Sequence, residues 1–446
     1  MWRPPLLLAV LVACAEPAPD VGGRDGTVPA LQFDGFRPRN LLFISIDTLR
    51  RDHVGPWSTL GLTPFLADLA DDGLVLDNHL QCANWTMASV TCTLAGRTDI
   101  DRGHLPRLQG QPEQVQPVPE GTPLLAGWLG EAGFVSVGVS SNSYFGQKGG
   151  NHQGYDRFDR FGGGGGNGWD KGVANLEEIR GDSRWFLHVH LLEPHEPYMP
   201  PDGWLDTGDL APWPYGDLRW NWQRFTDPEN HSRLTSDEAT LLEAHLRALY
   251  AAEVRYTDSL VEGFIADAQR RGLLDDTLVV VWSDHGEQFW EHGAQSHAHR
   301  LHPEENDGAV IFWAKNLRPG RYEGPTHAID MAPTVLQALG LDIPAEITGS
   351  AVGTEDPDRL RFTGALARDG GVQAVHHGTR SLHYHWASGT LTSFDRATDP
   401  HEQHDLYDPS DAEIGALWDA LRPAVDGMAE LVVDGDPAPV WPVLSE

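Results

Sequence analysis

Four short apolar runs, each closed by a polar cluster, constrain the fold of this 446-residue chain more than any other feature. Leu41–Ile46 precedes Asp47, Phe134–Val139 precedes Ser141 and Asn142, Trp185–Leu191 precedes Glu193 and His195, and Leu278–Trp282 precedes Asp284 and His285. Helical patterns such as Pro64–Ala70 and Pro123–Ala132 separate them. The longest, from about Ser236 to Arg271, opens with a capping box, Thr235-Ser-Asp-Glu238, and carries Leu241, Leu242, Leu246, Leu249 and Leu260 at helical spacing. Strand and helix in alternation predict an α/β fold with a central, mostly parallel sheet flanked by helices. Ligands of such sheets bind beyond the C-terminal strand ends, where all four polar clusters fall.

Three other segments break this pattern. The glycine run Gly162–Gly166 predicts a flexible loop over 162–168. Residues 202–234, with Trp204, Trp213, Trp220 and Trp222 in no clear period, read as an insertion near the site, placed to serve as a lid. From about residue 360 the pattern alternates: Leu382, Tyr384 and Trp386 interleave with His383 and His385, and Ser388-Gly389 can turn the chain. This predicts a small antiparallel C-terminal subdomain over 359–446, with the two histidines on a solvated strand face.

The N-terminus indicates a compartment. Leu6–Ala13 is an apolar run of eight behind Arg3, followed by Cys14. A bilayer span takes about 20 residues, so the run has the proportions of a signal-peptide core. Leu11-Val12-Ala13-Cys14 resembles a bacterial lipobox. The expectation is a signal peptide over 1–13, a lipid anchor on Cys14, a Pro/Gly/Asp-rich tether over 14–38, and a catalytic domain over 39–358. That places the protein in the bacterial cell envelope, in the periplasm or on the outer surface. Cys82 and Cys92 then remain, and a disulfide and two buried thiols are both compatible with them.

Composition limits the partners. A net charge of −33 repels phosphate backbones, so no nucleic-acid partner is expected, and any anionic substrate must be read locally. With 40% hydrophobic residues the chain is no disordered acidic tail.

Asp47 and the adjacent Asp284-His285 pair can converge on one divalent cation. Mixed oxygen and nitrogen donors suit Mn2+ or Zn2+ better than Ca2+. The surrounding blocks sharpen this reading. Asn40–His53 with Thr63-Pro64, Asn84–Arg97, Gln153–Asp156, Glu193–Tyr198, Glu253–Asp258, Ser283–Glu287 with Glu291–Gly293, and Asp330–Thr334 follow one another in an order that resembles the sulfatase family of the alkaline phosphatase superfamily. The resemblance runs from about residue 39 to Leu406.

Carried over by position, the resemblance makes Asp47, Asp284 and His285 metal ligands. It puts the nucleophile at Thr86, itself beside the metal, and places His195, His297 and Asn142 near the substrate oxygens or leaving group. The sequence departs from true sulfatases at the nucleophile. Their Cys-x-Pro-x-Arg motif, the source of formylglycine, reads Thr86-Met-Ala88-Ser-Val90 here, and neither Cys82 nor Cys92 begins such a motif. Thr48 replaces the second Asp of the metal site, and Ser141 and Asn142 replace the Lys and His that flank the sulfate. The set is similar to the Thr-nucleophile members of the superfamily, such as lipoteichoic acid synthases, phosphoethanolamine transferases and some phosphodiesterases. It implies a hydrolase or transferase acting on a phosphoester, phosphodiester or sulfate ester. The competing class is a non-catalytic lipoprotein that keeps the fold to bind glycans at the cell surface.

Overall fold

The computed structural model describes residues 30–103, 116–162, 165–367, 370–430 and 440. The segment expected as a signal peptide, Cys14 and most of the tether lie outside the described residues. The last part of the expected tether is packed: Ala30 and Leu31 are buried, Ala30 N–H donates to Val352 O, and Phe33 bridges Leu317. The folded unit therefore starts at or before Ala30, because apolar side chains at 30, 31 and 33 have a surface to cover.

Among the described residues, eight strands form the central sheet, in the order Gly320–Tyr322, Leu74–Leu76, Val310–Trp313, Thr277–Ser283, Asn40–Ile46, Arg184–Leu191, Phe134–Ser140, Arg157–Arg160. Val310–Trp313 runs antiparallel to both neighbours and the other pairings are parallel. The strands of the four apolar runs are consecutive in this order. Asn40–Ile46 and Thr277–Ser283 are buried along their whole length, as strands covered on both faces must be. Alternate residues feed two cores. Leu42, Ile44 and Ile46 join Val173, Leu176, Leu242 and Leu246 on one face, while Leu41 and Phe43 join Val90, Leu94, Leu125 and Val335 on the other.

The Ser236–Arg270 helix begins at the expected box: Thr235 Oγ1 accepts from Glu238 N–H, and Thr235 N–H donates to the Glu238 carboxylate. The glycine run differs from expectation, since a helix spans Gly165–Ile179 and buries Gly165 and Gly168. These glycines permit close approach: a Cβ on Gly168 would lie 2.3 Å from the Phe161 ring, and one on Gly165 2.7 Å from Leu191.

At the C-terminal end, Arg361–Ala367, Gly370–His377, Arg380–His385 and Thr390–Asp395 form an antiparallel sheet in chain order. The Ala412–Glu430 helix packs on it through Leu417, Trp418 and Leu421 against Val375, Leu382 and Tyr384. Gly389 turns the last hairpin with φ +67°. The expectation of a solvated histidine face is overturned at His383, which is fully buried, while His385 is half-buried. The side of the strand opposite Leu382 and Tyr384 faces His302 and Glu402, not water.

Candidate active site

All seven side chains singled out in the sequence meet at the C-terminal ends of the consecutive parallel strands. Asp47 follows Asn40–Ile46, Asn142 follows Phe134–Ser140, His195 follows Arg184–Leu191, and Asp284 and His285 follow Thr277–Ser283. Thr86 opens the fully buried Thr86–Ala95 helix, which Trp85 enters in an extended conformation and Gly96 ends at φ +59°. Its hydroxyl lies 3.4 and 3.5 Å from the two Asp47 oxygens and 3.5 Å from His285 Nε2, and it accepts from Asn142 Nδ2 at 3.0 Å. Asn142 Nδ2 also donates to Asp47 Oδ2. His297 bridges the rest: its ring centroid is 4.6 Å from that of His285 and 4.9 Å from that of His195. Glu287 Oε1 lies 3.2 Å from His297 Nδ1.

The donor set fits a divalent cation. Ligand atoms about 2.1 Å from a shared ion lie about 3.0–3.4 Å from one another, farther apart than a hydrogen bond holds them. His285 Nε2 is 3.4 Å from Asp47 Oδ1 and 3.7 Å from Asp284 Oδ2. Asp284 Oδ2 is buried and makes no hydrogen bond among the described residues. Burial and the neighbouring charge of Asp47 push the Asp284 carboxyl well above its usual range. Burial also raises Asp47, but the imidazoles of His195, His190 and His285 outweigh it and hold that carboxyl well below the usual range. Two carboxylates this close and this dry repel each other unless a cation lies between them. Burial lowers His285 to about 4, which keeps its imidazole neutral, as a metal ligand must be.

Thr48, at the position of a second Asp in true sulfatases, has φ +53°, a strained conformation for a β-branched residue. It is held there by its N–H on Asp284 Oδ1 and by the Tyr250 hydroxyl on its carbonyl, at 3.3 and 2.7 Å.

Sequence reasoning missed His190. Within the apolar run of its strand it faces the site: Nε2 is 3.4 Å from Asp47 Oδ2 and has no hydrogen-bond partner among the described residues, while Ser45 Oγ fixes Nδ1 at 2.8 Å. Ser45 also contacts His188 Nε2 at 2.8 Å, and Tyr155 holds the far nitrogen of His188. Two histidines two residues apart in a buried strand were the available signal, because such a spacing puts both on one face.

Residues 202–234, expected as an insertion near the site, share a pocket with Glu196 and Gln295, which are close in sequence to His195 and His297. Their short helices place Trp222, Asp227 and His231 opposite Trp290, Gln295 and His299 around a pocket of about 710 Å3. His231 stacks on Trp290 with centroids 4.5 Å apart.

Comparison with known proteins agrees with this architecture. The sulfatase family model matches residues 39–341, more than half of the chain. The chain belongs to the sulfatase family. Among curated relatives it is 30% identical over 182 residues to the low-salt glycan biosynthesis sulfotransferase Agl7 of Haloferax volcanii, covering 40% of this chain and 38% of that one. It is 25% identical over 169 residues to the choline-sulfatase of Rhizobium meliloti, covering 36% and 32%. The matched stretches thus span about a third of each relative's length. Among solved structures, the phosphonate monoester hydrolase of Silicibacter pomeroyi superposes with a TM-score of 0.65 at 19% identity, over 88% of this chain and 96% of that one. A 2-O glycosaminoglycan sulfatase, BT1596, gives 0.69 at 17% identity, over 90% and 96%. These likenesses establish the fold.

Proposed function

We propose that this sulfatase-family protein is a metal-dependent hydrolase or transferase that cleaves a phosphoester, phosphodiester or sulfate ester with Thr86 as nucleophile. The observation that carries the reading is the position of the Thr86 hydroxyl, about equidistant from Asp47 and His285 and hydrogen-bonded by Asn142. Formylglycine chemistry has no residue to start from, since Cys82 and Cys92 are joined as a disulfide packed against Ala328, with Cα atoms 6.5 Å apart.

Asp47, Asp284, His285 and Thr86 would hold the ion, with His190 beside them, and this mixed donor set favours Mn2+ or Zn2+ over Ca2+. The ion supplies Lewis-acid charge that eases loss of the Thr86 proton and offsets charge on a substrate oxygen. Thr86 attacks from the N-terminus of its helix, where the backbone dipole favours an anionic oxygen. The two N–H groups of Asn142 Nδ2 reach Asp47 and Thr86, and one of them would turn to an ester oxygen as Thr86 attacks. His297 packs against both His285 and His195, and these two imidazoles, His195 and His297, would hand a proton to the departing oxygen. Glu287 fixes the His297 ring through Nδ1. Sulfate and phosphonate esters enter the reading because named relatives act on them, and the test is a panel of aryl sulfate, phosphate, phosphodiester and phosphonate esters with added Mn2+ or Zn2+. No turnover of any ester by metal-loaded protein would leave the glycan-binding scaffold as the better account.

The same proposal includes an envelope location with a lipid on Cys14. The Cys82–Cys92 disulfide supports it, since such bonds persist in oxidising compartments. Mass spectrometry of the native N-terminus tests it: an unprocessed Met1 or unmodified Cys14 contradicts the anchor.

A further inference from the structure

The C-terminal sheet meets the catalytic domain through a group of imidazoles that the proposed reaction does not use. His302 caps the Pro303–Asn306 helix at the end of the segment that begins with His297, His383 lies in the Arg380–His385 strand, and Glu402 follows the last strand of that sheet. All three are buried. His302 Nδ1 is 2.7 Å and His383 Nε2 3.4 Å from the same oxygen, Glu402 Oε2. One donor atom from each residue lies within 4.8 Å of the other two.

Hydrogen bonding accounts for Glu402 and for Nδ1 of His302 but not for His383 and His376 beside them. The other carboxylate oxygen, Oε1, accepts from Ser381 Oγ at 2.7 Å and stands 3.8 Å from Arg396 Nε. That guanidinium is itself held by both oxygens of Asp307, which offsets its charge. His383 is wholly buried, yet among the described residues Nδ1 has no hydrogen-bond partner and Nε2 has only the long 3.4 Å contact with Glu402, while neither nitrogen of His376 beside it has a partner. Burying a polar ring without partners is costly, so such groups call for an explanation. Glu402 has φ +51°, an uncommon conformation for a residue with a Cβ, and this turn aims its carboxylate inward.

We propose that His302, His383 and Glu402 form a second, structural cation site for a zinc-type transition-metal dication, clamping the C-terminal sheet to the segment that carries His297. Two imidazole nitrogens and one carboxylate oxygen are a zinc donor set with room for a fourth ligand, and the nitrogens disfavour Ca2+ and Mg2+. A tetrahedral ion with bonds of about 2.0–2.1 Å separates its ligand atoms by about 3.3 Å, close to the His383–Glu402 spacing. The His302–Glu402 pair reaches that value by opening from a hydrogen bond, a shift of about half an ångström. Ser381 and Arg396 hold the outer oxygen of Glu402, the usual role of groups behind a metal ligand.

The test is a Zn2+ titration of the chelator-stripped full chain, read by bound metal per chain and by thermal unfolding. Wild type is expected to bind two equivalents, and Asp284→Ala and His383→Gln one each. Zn2+ should still raise the melting temperature of Asp284→Ala. Equal stoichiometry in His383→Gln and wild type overturns the proposal, as does an Asp284→Ala protein that binds none. Should His383→Gln fail to fold, Glu402→Gln and the Asp284→Ala arm decide the matter. The Asp284→Ala readout does not depend on which residue attacks the ester, so failure here is distinguishable from failure of the Thr86 reading.

Discussion

Replacing Thr86 by Ala removes the proposed nucleophile, itself one of the four groups proposed to hold the ion, at little cost to the fold. The side chain is 2% exposed; its hydroxyl accepts one neutral hydrogen bond, from Asn142, which keeps Asp47 as a partner when the hydroxyl goes, and makes only a long donor contact, at 3.4–3.5 Å, to the Asp47 carboxylate. Loss of one such bond costs about 1 kcal/mol of stability, and the missing methyl adds about 1 kcal/mol more. Loss of an attacking group lowers turnover by about 10^4- to 10^6-fold. At about 1.4 kcal/mol per decade that is about 5–8 kcal/mol of transition-state stabilisation, several times the folding cost. Thr86→Ser keeps the oxygen but loses the methyl that restricts χ1, so about a 10- to 100-fold loss is expected. The assay pairs kcat on the best ester of the panel with calorimetry and with intact mass after acid quench, which reads a phosphoryl or sulfuryl group on Thr86. A Thr86→Ala protein that melts like wild type and turns over within about tenfold of it refutes the reasoning and makes activated water the attacking group.

His190→Ala should weaken metal binding about 10- to 100-fold with no change of fold, and Ser45→Ala should do so to a smaller degree; isothermal titration checks both, and unchanged affinity means that His190 does not support the ion. Glu253 is raised to about 7, mainly by burial and despite its hydrogen bond from Met199 N–H. Its folded value exceeds the unfolded one, so stability falls as pH rises from about 4.5 to about 7. Glu253→Gln keeps the acceptor and should stabilise the protein at pH 8 by up to about 3 kcal/mol, with no gain at pH 4; urea unfolding at the two values decides. Opening the Cys82–Cys92 bridge, which closes a loop with a sequence separation of 10, should cost about 3 kcal/mol. Calorimetry of the double Ser variant reads it, and an unchanged melting temperature would mean that the bridge contributes nothing.

Much of the site was legible because its residues sit at strand ends, where the chain changes from apolar to polar. Asp47 and Asp284-His285 stand out for that reason, and Thr86 stands out through the motif around it. His190 did not, because a histidine inside an apolar strand looks the same in sequence whether its ring meets a metal site or only neighbouring side chains. The Gly165–Gly168 stretch read as a loop since glycine has low helix propensity. Packing against residues far along the chain, Leu191 and Leu260 at Gly165 and the core at Trp169, Val173 and Leu176, holds it as a helix.

By itself the sequence determined the α/β alternation, the capping box at Thr235, the antiparallel C-terminal end and the residues able to bind a cation, because each is a local pattern of period, cap or donor type. Only the tertiary structure decided which faces are dry. His383 alternates with Leu382 and Tyr384 as an exposed residue would, yet it is buried because His302 and Glu402, from other parts of the chain, cover that face. Burial and partners depend on what packs from elsewhere in the chain, and no local period encodes it.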